Sequence, residues 1–561
     1  MKKGEISKPI HKVKLEEDVF VPMRDGVTLC ADIFRPDVQG KFPALLAQSP
    51  YGKEIQSLPI PPMPPEAPLY NVSIEAGDPQ YIVSRGYVLI IPDERGIGKS
   101  GGVYDGWMSK KEAEDGYDLV EWIARQPWCD GNVGMVGISY FGCVQLHVAA
   151  EQPPHLKAIM PFNAPADFYR ECAYHGGILQ AFFYNLYRNC IRGNVISVTA
   201  EQKAPEELEQ LVTALKENSD LRMYPDYYNV AVNYRWSPCF FDILANPMDG
   251  PFFWERSAYT KYNRIKVPSY CGSGWWAFAH MHLRGVFQNY LGIDAPKKMF
   301  VNRPVVFDRP LPHSYNEEVI RWYDYWLKGI DTGIMDEPSI KIFVMGDNKW
   351  RFEKEWPLAR TQWTKYYLRD WNRLSLETDE FLSRPACFTQ KPLEETYDIQ
   401  SVVYMTEPMS VDTEITGPLA IYIYASIDTD DTNWIIDISD VAPNGPEVAL
   451  SRGWLKASHH VLDDKKSKPW LPYHPHTESE PVVPGQIYEY AIEVSPISNV
   501  FKEGHMLKLK VSCMDHVRIS FPDSMGSTHL PYHMCSSKTT THKIYHNNEH
   551  PSYLLLPIIP R

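Results

Sequence analysis

Gly134-Met135-Val136-Gly137-Ile138-Ser139-Tyr140-Phe141-Gly142 is the stretch on which the fold turns. The apolar run Val133–Val136 reads as a short buried strand, and Tyr140–Ala150 reads as a helix that Pro153-Pro154 ends. Between them Gly137-Ile138-Ser139 allows only a tight turn. A strand, a sharp bend and a helix in that order make a nucleophile elbow, which lifts a serine hydroxyl out of the sheet. The glycines are needed because side chains there would strike neighbouring backbone. The second small residue falls one place late, so the pattern is GxSxxG rather than GxSxG. Ser139 is the candidate nucleophile; the plainer reading is a serine in an ordinary strand-to-helix turn.

Working outward, residues 15–165 alternate strand-like and helix-like segments. Val19–Val21 and Thr28–Phe34 flank Arg24-Asp25-Gly26, a hairpin signal. Ala44–Ala47 and Tyr87–Ile91 are short apolar runs suited to buried parallel strands. Ser109-Lys110-Lys111-Glu112 is a capping box, and Ala113, Gly116, Leu119, Val120 and Ile123 continue a helical face behind it. Residues 166–260 lose the strand signals and become rich in aromatics, with Glu206–Glu217 an amphipathic helix. Strands return at Val267–Cys271 and Lys298–Val301 within a second core segment, 261–350. From 355 to 561 the grammar is all-β: Leu419, Ile421, Ile423 and Ala425 alternate, as do Leu507, Leu509 and Val511. The division is an α/β core, a helical insertion and a β-sandwich.

Composition removes several function classes. The chain has 561 residues, 56 Lys+Arg against 70 Asp+Glu and a formal charge of −14. An acidic sum with no basic run gives no footprint for nucleic acid or anionic membrane. No apolar run approaches 18 residues, so no membrane partner is expected, and Met1-Lys2-Lys3-Gly4-Glu5 is not followed by a signal-like apolar stretch. Ten scattered cysteines without a CxxC pair read as reduced thiols, which suits a cytoplasmic protein. Gly96-Ile97-Gly98-Lys99-Ser100 lacks the Walker spacing and reads as a glycine-rich turn. His459-His460 and His474-Pro475-His476 have no ligand set at metal spacing and read as surface loops, so no metal and no cofactor is expected.

At this point the chain resembles a known family, the α/β-hydrolases that include bacterial cocaine esterase, X-prolyl dipeptidyl-peptidases and α-amino-acid ester hydrolases. The matching stretches include Met23–Leu29, Ser49-Pro50-Tyr51-Gly52-Lys53, Asp93–Ser100, Gln126-Pro127-Trp128, the elbow, Tyr325–Gly329, Phe343–Gly346 and Glu549–Ser552. The resemblance implies an α/β-hydrolase core with an inserted helical cap and a C-terminal jelly-roll sandwich. It also implies Ser139 as acyl acceptor, with the Tyr140 backbone N–H and the Tyr51 phenol as oxyanion donors.

The family pattern departs at two places. Its acid follows the seventh strand in Gly-Trp-Tyr-Asp, whereas this chain reads Gly274-Trp275-Trp276-Ala277. Its histidine follows the eighth strand in Gly-Pro-Trp-x-His, whereas Asn302–Phe307 holds no histidine. His313 with Asp308 is the expected base and acid if the loop bulges. His280 or His282 could instead reach inward from the seventh-strand loop, and Asp167 is a second acid candidate. Phe168, Trp275, Trp276, His280 and His282 are expected around an apolar or aromatic small-molecule substrate. A homodimer is among the assemblies this reading allows.

Three functions follow, in order. The first is a cofactor-free serine hydrolase or acyltransferase acting on an ester, amide or lactone. The second is a repurposed biosynthetic enzyme, catalysing a cyclisation, isomerisation or C–C bond step in the same pocket, motivated by Ala277. The third is a binding protein without turnover.

Overall fold

The computed structural model describes residues 3–57, 75–180, 182–189, 191–275, 281–303, 313–378, 383–515 and 532–561. Its first sheet starts with an antiparallel pair, β1 (Val13–Pro22) and β2 (Thr28–Pro36), turned through Arg24-Asp25-Gly26. It continues with β3 (Phe42–Leu46), β4 (Val88–Pro92), β5 (Cys129–Met135), β6 (Leu156–Ile159), β7 (Ser269–Gly274) and β8 (Lys297–Asn302). The last two strands are β9 (Ile340–Val344) and β10 (Lys349–Glu353). The spatial order is β1-β2-β4-β3-β5-β6-β7-β8-β9-β10. Pairings from β4 across to β9 are parallel and β10 returns antiparallel. Every residue of β4 is buried, as a strand covered on both faces requires.

Five helices matter here: α1 (Lys110–Ala124), α2 (Tyr140–Glu151), α3 (Pro205–Glu217), α4 (Leu283–Gly292) and α5 (His313–Lys328). Side chains of α1 and α4 and most of those of α2 join one hydrophobic cluster, and those of α5, with Phe141 of α2, join the other, so the sheet is covered on both sides. The Tyr323 hydroxyl of α5 donates to the Met135 carbonyl, and Trp322 Nε1 donates to the Ile159 carbonyl at 3.1 Å. At the start of α1 the Ser109 hydroxyl accepts the Glu112 N–H at 3.2 Å. The Glu112 carboxyl group turns inward instead of back to the cap, and the residue is buried.

Because β4 lies on one side of β3 and β5 on the other, the chain reverses its direction across the sheet at β3. That reversal opens a crevice at the carboxyl ends of these strands. Tyr51 follows β3 and Ser139 follows β5, so adjacent strands deliver them to the same edge.

Between β6 and β7 the chain makes a π-helical turn, Phe168–Ala173, and then a run of short helices that includes α3. The stretch 166–260 is not strand-free. Tyr174–His175 pairs with Ile178–Leu179, a hairpin too short to leave an alternating pattern in the sequence. Aromatic rings hold this region together, Tyr224 stacking on Tyr227 at 5.2 Å and Tyr184 meeting Phe240 edge-on at 5.4 Å.

The second sheet contains β11 (Gln362–Arg369), β12 (Arg373–Ser375), β13 (Ala386–Gln390), β14 (Ser401–Thr406), β15 (Thr413–Ile427) and β16 (Asn433–Val441). It also contains β17 (Glu447–Lys456), β18 (Tyr488–Phe501), β19 (Met506–Ser512), β20 (Thr540–Tyr545) and β21 (Tyr553–Ile559). β21 pairs with both β11 and β15, which closes most of the sheet on itself as a β-sandwich or barrel. Leu507, Leu509 and Val511 are buried, while Lys508 and Lys510 between them are partly exposed. The sandwich is tied to the α/β part by polar contacts: Arg284 Nε of α4 donates to Glu493 at 2.9 Å, and Arg170 donates to the carbonyls of His474 and Pro475 at 2.8 Å.

The histidines expected on surface loops are inside. His459, His474 and His476 are buried; His459 Nδ1 lies 3.0 Å from His476 Nδ1, and both ring nitrogens of His474 face carbonyl oxygens. Histidine is polar enough to look solvent-bound in sequence, yet these backbone acceptors satisfy it in the interior. Among the described residues no cluster suits a metal ion, no helix is long and apolar enough to cross a membrane, and every cysteine is free. In the glycine-rich turn, Asp93 accepts the Lys53 and Lys99 N–H groups at 2.8 and 3.0 Å.

Candidate active site

Ser139 stands at the end of the β5-to-α2 bend with φ 59° and ψ −115°, a strained backbone for a residue with a Cβ. Its surroundings enforce the bend. A Cβ on Gly137 would lie 2.4 Å from Phe141 Cβ, and one on Gly142 would lie 2.5 Å from the Phe162 carbonyl oxygen. The Ser139 N–H donates to Phe162 O at 2.9 Å, while its carbonyl accepts the N–H groups of Gly142 and Cys143, each at 2.9 Å. Strand end and helix start therefore clamp the residue from both sides.

Ser139 Oγ lies 3.0 Å from His282 Nε2. His282 immediately precedes α4 and is 2% exposed. Burial pushes its imidazole down to about 3, because a charged ring loses its hydration there. The neutral ring presents Nε2 as an acceptor for the serine hydroxyl proton.

Tyr140, the first residue of α2, has an N–H for which the helix itself offers no carbonyl. Tyr51 is half-buried, and its ring meets the Tyr140 ring edge-on at 5.6 Å and Phe141 at 6.1 Å.

The sequence-derived site residues do not all converge. Ser139, Tyr140, Tyr51 and His282 come together. Phe168 and Trp275 sit in the packed interior: Phe168 stacks on Trp107 at 5.2 Å, and Trp275 Nε1 donates to the Phe343 carbonyl at 2.6 Å. Asp167 is engaged by Arg170, accepting its backbone N–H at 3.0 Å and its guanidinium at 2.9 Å. Trp276, His280, Asp308 and the Ala277 position lie outside the described residues, and His313 is the first residue of α5.

The histidine that reaches the serine is thus His282, which the sequence offers both as an alternative base from the seventh-strand loop and as a substrate contact, behind His313. The usable signal was position: Met281-His282-Leu283 puts a polar ring between apolar neighbours just before α4, the helix that follows the seventh strand. The family pattern, which looks for its histidine after the eighth strand, drew attention away from it.

Comparison with known proteins follows the same outline. Residues 25–304 match the model of the X-Pro dipeptidyl-peptidase (S15 family), and residues 332–555 match the X-Pro dipeptidyl-peptidase C-terminal non-catalytic domain. The chain belongs to the S15 family. Its S15 relatives include a cocaine esterase from Rhodococcus sp., 26% identical over 97% of this chain and 98% of that protein. A putative Xaa-Pro dipeptidyl-peptidase from Bacillus anthracis is 23% identical over 91% of this chain and 85% of its own length. Among solved structures, a CocE/NonD family hydrolase from Staphylococcus aureus superposes with a TM-score of 0.76 at 26% identity, covering 97% of this chain and 94% of that one. This S15 chain is accordingly an α/β-hydrolase-fold member of a hydrolase family.

One pH expectation follows from the His282 environment. A base must be unprotonated to work, and His282 stays neutral at every pH above about 3. kcat/KM should therefore stay level from pH 7.5 down to pH 5.5, where an unperturbed imidazole of pKa ~6.5 would have lost about 90% of the active form. A pH profile on a neutral ester substrate, over the range in which the protein remains folded, checks this. A limb centred near 6.5 would contradict it.

Proposed function

We propose that this protein is a serine hydrolase that cleaves esters or amides of small apolar or aromatic molecules through an acyl-Ser139 intermediate, with His282 as its general base. The observation that carries the reading is the 3.0 Å approach of Ser139 Oγ to His282 Nε2 at a strained elbow. Ser139 attacks the substrate carbonyl carbon as its proton passes to His282. The negative charge that develops on the carbonyl oxygen is met by the Tyr140 N–H and the Tyr51 phenol. His282 returns the proton to the departing alcohol or amine, then draws one from water, which cleaves the acyl-serine bond. Relatives named for ester and Xaa-Pro peptide cleavage support this substrate class. The histidine comes from the seventh-strand loop, so the arrangement departs from the family's order, and Ala277 stands where that order has an acid.

The test is covalent trapping. A fluorophosphonate should phosphonylate the protein at one site, and peptide mass spectrometry should place the adduct on Ser139. An adduct elsewhere, or none, overturns the reading. Hydrolysis in ¹⁸O-water should place label in the carboxylic acid product; an unlabelled product would move the reading to a non-hydrolytic acyl transfer or rearrangement.

A further inference from the structure

α1 runs against α2, and the inward-turned Glu112 meets the residue that follows the nucleophile. Glu112 Oε2 accepts the Tyr140 phenol proton at 2.9 Å. The same phenolic oxygen takes the Met108 N–H at 3.2 Å and lies 3.0 Å from the Tyr104 hydroxyl. Glu94 hydrogen-bonds both Glu112 and Gln48, and Gln48 Nε2 donates to the Glu112 carbonyl at 3.1 Å. Tyr140, Glu94 and Glu112 are all buried. We infer that Glu94 and Glu112 form a carboxyl pair sharing one proton, and that this pair positions Tyr140 and, through its ring, both oxyanion donors. The inference rests on the Ser139 reading above.

The charge argument is direct. Two carboxylates in contact and out of water cannot both ionise at neutral pH, so one keeps its proton and donates it to the other. Among the described residues, the groups facing the pair are Asp105, Asp115, Tyr104, Tyr140, Cys143 and Gln48, none of them a cation. The neighbouring Arg95 is bound to Asp115 at 2.8 Å. Burial pushes both carboxyl groups above the ordinary carboxyl range, and the charge of Glu112 pushes Glu94 the further of the two.

The mechanical argument concerns one peptide plane. The N–H proposed to meet the oxyanion belongs to Tyr140, directly after strained Ser139, and the Tyr140 ring is the anchor of that plane. Trp107 holds the ring edge-on at 4.6 Å, and Tyr51, the other proposed donor, leans on it at 5.6 Å. Releasing the phenol frees the ring on which both donors depend.

The experiment compares Glu112→Leu, Glu112→Gln and Tyr140→Phe with the wild type. Glu112→Leu and Tyr140→Phe should each lower kcat about 10- to 100-fold with KM within about threefold, because the donors act mainly on the transition state. The double variant should be no worse than either alone, since both cut the same link. Phosphonylation of Ser139 should slow by the same factor. Glu112→Gln should recover most of the kcat lost in Glu112→Leu, its amide N–H standing in for the shared proton. It should also lose the fall in kcat expected on the alkaline side in the wild type as the pair gives up that proton. A kcat above half of wild type in Tyr140→Phe, multiplicative losses in the double variant, or an unchanged alkaline limb in Glu112→Gln would overturn the inference. A wild type that fails to label at Ser139 would instead overturn the reading it rests on.

Discussion

Replacing Ser139 with alanine is expected to lower kcat by about 10⁵- to 10⁶-fold, the loss typical of removing a serine nucleophile. Among the described residues, the structure offers no neighbour that would substitute. The elbow's backbone puts this one hydroxyl at the carboxyl edge of β5, 3.0 Å from a neutral imidazole. Cys143, one turn into α2, is buried with its thiol raised far above its ordinary range by desolvation, so it offers no thiolate. Alanine keeps the Cβ and hence the same backbone geometry, so the thermal midpoint should move by only a few degrees. The measurement is steady-state hydrolysis of an activated ester with fluorophosphonate labelling alongside. Turnover within tenfold of wild type would remove Ser139 from the mechanism.

His282→Ala is expected to cost about 10⁴- to 10⁶-fold in kcat, because a serine hydroxyl at its ordinary acidity is a weak nucleophile. The comparison with His313→Ala decides between the two histidines: His282→Ala should be at least about 10³-fold slower than His313→Ala. Added imidazole should restore part of the activity of His282→Ala, since the space vacated lies against Ser139 Oγ. Equal losses in the two variants, or a larger one at His313, would return the base to the eighth-strand loop.

The fold was legible in local patterns because those patterns report burial. The all-apolar run in β4 reads as a strand covered on two faces, and the Lys508/Lys510 alternation in β19 reads as a strand covered on one. Ser109 announced the start of α1, and Gly137 and Gly142 announced a bend that any side chain would block. What failed in sequence failed for want of long-range partners. His459, His474 and His476 read as surface residues until the carbonyls of Val461 and Ala491 and the paired imidazoles came into place around them. Phe168, counted among substrate contacts, is taken up by Trp107, Phe183 and Phe253.

Sequence by itself determined the sheet and the elbow and singled out Ser139 as the candidate nucleophile, since each depends on residues within one turn or one strand of each other. Only the tertiary structure decided which histidine reaches that serine and that Glu112 grips Tyr140 rather than its own helix cap. Those contacts span 143 and 28 residues of chain, and their distances are set by how strands and helices stack, which short-range periodicity does not encode.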